Sequence, residues 1–237
     1  PPLTWTWSTT KGADLMWVPI PFERTFRLGY SRTRYGTGYY IYHLYDPHAA
    51  LSRPIWSWDG RTPPAQDVLD LIARAGTDIT PKTRTNTTIK DFSNFTITSS
   101  DASVLRHISF SVPRDKAIEF GRARLRITWD DRKDPSVDTP VALFFGAGTL
   151  YNRDNREFLV KAFPMNIRFD ADRVHLACYF PMPFRKSARI RLQGVTNDVT
   201  ATFRWDRFTD PFEQVGYFHA TYRDHPKPDP GKDLVLL

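Results

Sequence analysis

The sequence predicts an all-β protein: a jelly-roll β-sandwich, with a related sandwich in tandem and one short connecting helix. Three observations predict it. Aromatic residues make up 14% of the 237-residue chain and prolines outnumber glycines, 19 to 12. That balance suits short strands and rigid turns better than a helical bundle. From Phe92 onward, β-prone stretches recur about every 8–20 residues with turn residues between them. Only one segment carries a helical period.

The elements follow in order. Residues 15–30 and 38–45, the latter reading GYYIYHLY, are strongly β-prone. Pro63-Pro64 then opens the helical exception. Asp67 stands near its start, Val68, Leu71, Ile72 and Ala75 fall at helical spacing, and Gly76 supplies the stop. The helix is expected near 64–75. Residues 77–91 are rich in Thr, Lys, Arg and Asn and read as a loop or an exposed edge. Strands are then expected over 93–98, 104–112, 123–129, 141–145, 158–169, 174–180, 188–192 and 199–206.

An internal echo supports the tandem arrangement. Residues 17–27 align with residues 179–189, matching Pro19 with Pro181, Pro21 with Pro183, Phe22 with Phe184 and Arg27 with Arg189. Residues 1–50 then read as the C-terminal part of a first jelly roll, 51–91 as a linker with the helix, and 92–237 as a second jelly roll. The chain opens on Pro1-Pro2, and residues 233–237 read as a strand with nothing following. Both ends point to a processed product or a fragment.

Composition removes several function classes. No apolar run approaches the roughly 20 residues a membrane span requires. The single cysteine, Cys178, excludes an internal disulfide framework and a multi-cysteine zinc site. No Gly-x-Gly-x-x-Gly, phosphate-binding loop or Gly-x-Ser-x-Gly occurs. His43 and His48 are out of phase for one helical face, so neither a metal site nor a cofactor is expected. Asp130, Asp131, Asp134 and Asp138 read as a polar turn, because the spacing and glycine of a calcium loop are missing. The net charge of +7 permits acidic partners. Arg122, Arg124 and Arg126 alternate, so on a strand they share one face. A solvated face is the ordinary reading and a polyanion stripe the alternative. Without any nucleic-acid-binding signature, nucleic acid is not an expected partner. Asn86-Thr87-Thr88 and Asn94-Phe95-Thr96 are sequons, making Asn86 and Asn94 glycosylation candidates in a secreted protein.

Three ordered motifs carry a resemblance. They are LRITWDDRKDPSVDTPVALFFGAG at 125–148, CYFPMPFRKSARI at 178–190 and GYFHATYRD at 216–224. Together they resemble glycoside hydrolase family 172, earlier catalogued as domain of unknown function 2961. The resemblance implies a jelly-roll architecture, trimeric or higher assembly, and action on fructofuranosides or arabinofuranosides with retention. Retention requires two carboxylates close together. In that family the catalytic glutamates are expected beyond the Tyr-Phe-His-Ala segment, in stretches with no counterpart here, so no catalytic residue is assigned. Trp129, Asp131, Asp138, Arg185, Lys186 and His219 hold the remaining motif positions. They are candidates for a sugar site or a subunit contact, weighed against packing and turn roles. The expected function is part of a secreted carbohydrate-active protein, extracellular or at the cell surface, with carbohydrate as partner. The alternative is a non-catalytic jelly-roll module that self-assembles into an oligomer, coat or filament. A carbohydrate-binding module is a third reading.

Overall fold

A computed structural model describes residues 3–10, 12–29, 38–195, 197–225, 227 and 229–232. The strand read at 233–237 lies outside them. The chain divides into two units, 1–73 and 74–237.

In the first unit, β1 (Thr4–Trp5) pairs antiparallel with β2 (Leu15–Met16), with the single turn α1 (Trp7–Thr10) between them. The β-prone residues 17–29 and 38–45 form no strand. Tyr39, Ile41, Tyr42 and Leu44 are exposed. Propensity alone does not make a strand; it needs a hydrogen-bonded neighbour and a face to bury. Among the described residues, this unit offers only the two-residue β1–β2 ladder. The helix α2 (Gln66–Ala73) follows the proline pair, with Asp67 in its first turn. An anion there suits the helix dipole, and Arg53 pairs with it at 2.6 Å.

The second unit is an all-β sandwich. Its elements are β3 (Thr85–Ile89), β4 (Asn94–Thr98), β5 (Ser103–Pro113), α3 (Ala117–Arg122), β6 (Arg124–Trp129), β7 (Val137–Pro140) and α4 (Val141–Phe144). There follow β8 (Phe158–Lys161), β9 (Met165–Phe169), β10 (Arg173–Cys178), β11 (Met182–Phe184), β12 (Ser187–Gln193), β13 (Thr200–Arg207) and β14 (Ala220–Thr221). The larger sheet runs β3-β13-β5-β10-β9-β8, with β11 also paired to β5. The smaller runs β14-β7-β6-β12-β4. Among the described residues of this unit, every pairing is antiparallel except the parallel one of β14 with β7.

Period-two alternation builds the core. In β6, Leu125, Ile127 and Trp129 are buried while Arg124, Arg126 and Thr128 face outward. In β12, Ala188, Ile190 and Leu192 are buried between exposed Arg189, Arg191 and Gln193. These residues join Ile108, Phe110, Leu176 and Phe203 of the larger sheet in one hydrophobic cluster. Cys178, at the end of β10, lies in the same cluster, and desolvation pushes its thiol up to about 12.

The sequence does not predict the short strands β7, β11 and β14, and three further differences shape the core. Residues 141–144 form one helical turn, because Pro140 ends β7 and the short apolar run folds inward, burying Val141, Ala142 and Phe144. Residues 158–169 form a hairpin of two strands, β8 and β9, rather than one strand. The helix α3 follows a 3₁₀ turn at Arg114–Lys116 and buries Ala117, Phe120 and Gly121. Gly121 has no room for a side chain: a Cβ there would sit 2.9 Å from Leu150 Cγ and 3.3 Å from Ala142 Cβ.

Candidate functional site

The site grows from the end of β6. Asp130, the residue after Trp129, has φ 54°. Asp tolerates this left-handed conformation better than most residues, because its short polar side chain bonds locally. The turn brings its carboxylate against the β11–β12 connection. There it accepts the backbone N–H of Arg185 (3.1 Å to each oxygen), Lys186 (2.6 Å) and Ser187 (2.9 Å). The Tyr217 phenol donates a further bond at 2.6 Å. Desolvation pushes the Asp130 carboxyl up, but the bonds from Tyr217, Ser187, Lys186 and Arg185 outweigh it and hold the pKa below the ordinary value. Asp130 is therefore an anchor. A carboxylate engaged by four donors and held ionised is neither a free nucleophile nor a general acid.

This anchor fixes a charged and aromatic rim. The Arg185 guanidinium lies over the Phe212 ring, 4.3 Å from its centroid, and reaches Glu213 at 3.5 Å. Lys186 Nζ pairs with Asp131 at 2.9 Å, both well exposed. Arg132 stands 5.3 Å from the centre of the Tyr217 ring. The exposed cations and carboxylates around this turn are groups that can hold a polyhydroxy ligand, while Arg185 and Arg132 lie over the Phe212 and Tyr217 rings.

The sequence candidates fall in different places. Asp131, Arg185 and Lys186 meet at this rim. Trp129 lies directly beneath it, fully buried. Its ring stacks on Phe184 at 6.2 Å and 11°, and its Nε1 donates to the Phe218 carbonyl at 2.8 Å. Asp138 lies on the outer face of the smaller sheet, bonded to Arg124 and to Arg126 (3.1 Å). Burial raises its pKa, but the two guanidiniums prevail and lower it. His219 is exposed on the segment leading into β14. Asn86 and Asn94 are exposed on β3 and β4, each an edge strand of its sheet.

Sequence reasoning missed the roles of Asp130 and Tyr217. It also missed a polar network on the outer face of the larger sheet. His107, on β5, is almost fully buried there. Arg204 donates to its Nδ1 at 2.6 Å, and Arg204 in turn bonds Asp78. A guanidinium has only donors, so the imidazole is neutral with its proton on Nε2, which donates to Ser109 Oγ at 2.8 Å. Desolvation, then the charge of Arg204, lowers the His107 pKa to about 4, against the opposing pull of Asp78.

Among the described residues, no three His, Cys, Asp or Glu side chains converge to hold a metal ion. No helix among them is long and apolar enough to cross a membrane. No curated protein matches the chain. Residues 106–204, from β5 into β13, match the family model described as GH172 domain-like. The match includes Trp129, Asp130, Arg185 and Lys186 and leaves Tyr217 and His219 outside it. Over residues 106–204 the sandwich is thus similar to a GH172-type domain, a match consistent with a partial domain of that kind.

Proposed function

We propose that the chain is part of a secreted carbohydrate-active protein of the furanoside-acting, retaining kind. The Asp130 turn presents its sugar-contacting rim. The supporting observation is the seating of Arg185 and Lys186: their backbones are clamped by Asp130, and their cations project beside Phe212 and Asp131. The two catalytic carboxylates of this reading are not among the rim residues. Intact mass and peptide mapping of native material, followed by assays on aryl α-D-arabinofuranoside and on a fructofuranosyl disaccharide, test it. Retained-configuration product is expected. In that setting Arg185→Ala with Lys186→Ala is expected to raise KM about tenfold, as lost charge-assisted bonds do. Native material that hydrolyses neither furanoside overturns the enzymatic reading.

A second reading has its own observation. Trp129, Asp130 and Asp138 all spend their polar atoms on partners within the chain, while the first unit exposes Tyr39, Ile41 and Leu44. Both features suit a non-catalytic module that self-assembles outside the cell. Light scattering that shows concentration-dependent growth, with no hydrolysis, is the expected outcome for that role.

A further inference from the structure

The outer face of the smaller sheet is a grid of arginines. Arg124 and Arg126 project from β6, Arg189 and Arg191 from the neighbouring β12. The register sets Arg191 directly opposite Arg126. Like charges in that position repel and destabilise a sheet. Asp138 is the carboxylate bonded within this grid, and it serves Arg124 and Arg126. Arg189 and Arg191 are exposed and make no ion pair or side-chain hydrogen bond among the described residues. Water solvates these guanidiniums in the isolated chain, and the concentration of positive charge on one face is complementary to an anion laid across it.

The neighbours of the grid define the anion. Arg189 faces Thr128 on one side and Thr96 on the other, and Arg191 faces Asn94 across β4. Hydroxyl and amide groups therefore interleave with the cations. The outward positions of β4, β6 and β12 hold no aromatic ring, so the face lacks the stacking platform that single-stranded nucleic acid uses. The spacing is that of the sheet itself, about 4.8 Å across strands and about 6.8 Å along them. The face also runs into the candidate site: Asp130 N donates to the Ser187 carbonyl at 2.8 Å, where β12 begins.

We propose that this face binds an acidic, carboxylate-bearing polysaccharide, whose chain then passes to the Asp130 rim. The choice of a glycan rests on the carbohydrate reading above; the charged grid stands without it. The test measures binding of the full chain to polygalacturonate, neutral pullulan and a single-stranded oligonucleotide, at low and high salt. Polygalacturonate is expected to bind selectively and to weaken with salt. Arg189→Gln with Arg191→Gln is expected to cut that binding at least about tenfold, the loss of two charge-assisted contacts. Arg24→Gln with Arg27→Gln, an equal change of net charge in the first unit, is expected to leave it intact. Equal binding of pullulan, tighter binding of the oligonucleotide, no binding at all, or an unchanged Arg189/Arg191 variant overturns the proposal. Furanoside hydrolysis by the same variants is scored separately, so loss of the enzymatic reading is not mistaken for loss of this one.

Discussion

Asp130 and His107 carry opposite lessons about a single ionisable side chain. Asp130 is stabilised as an anion, so its contribution is complete above the ordinary carboxyl pKa of about 3.9 and is lost as pH falls through its lower folded value. His107 is stabilised as the neutral ring. The unfolded chain binds its proton near pH 6.5 and the folded chain only near 4. Stability therefore rises with pH across that window, by up to about 3 kcal/mol, and is full above it. Urea titrations from pH 4 to 7 are expected to show this slope, and His107→Gln to flatten it. An unchanged slope assigns the titration elsewhere. Asp130→Ala is expected to cost about 2–3 kcal/mol through its lost charged hydrogen bonds and its left-handed backbone. Asp130→Asn, which keeps the turn and an acceptor, is expected to cost less. Chemical denaturation of both variants checks the order. None of this was legible at Asp130 beforehand. In a Trp-Asp-Asp turn an acid reads as one more turn residue, and its partners at 185–187 and 217 are distant in sequence.

Strands with one wet face were legible, because alternation writes the sheet into the chain. Arg124 to Trp129 and Ser187 to Gln193 are examples. The apolar run at 141–145 was not, since a short run without alternation fits a buried helical turn as well as a strand. Residues 38–45 mark the other limit, where propensity is high and no partner strand stands among the described residues. The contact between α3 and α4 is the tightest consequence of the misread turn. Gly121→Ala forces a Cβ against Leu150, itself fully buried. It is expected to cost about 1–3 kcal/mol by overpacking, seen as a lowered melting temperature. A melting temperature equal to that of the parent shows that Leu150 gives way at little cost.

The whole molecule divides its burial unevenly. Almost every buried side chain belongs to residues 74–237, while Leu3 is the buried hydrophobic of the first unit among the described residues. Limited trypsin digestion is expected to cut the first unit early, at exposed sites such as Arg24, Arg27, Arg53 and Arg61, and to leave the sandwich as the surviving fragment. Early cleavage inside β5 or β12 contradicts that division. At this scale, all-β architecture was legible from alternation and turn spacing, and the candidate rim only from the motif that brings Arg185 and Lys186 beside Trp129. Cys178 adds a further use. A lone sulfhydryl sealed between the sheets, with its ionisation suppressed, is silent to a colourless disulfide reagent while the sandwich is closed. Each release of the yellow thiolate then counts one opening of the core, so the protein carries its own clock for unfolding.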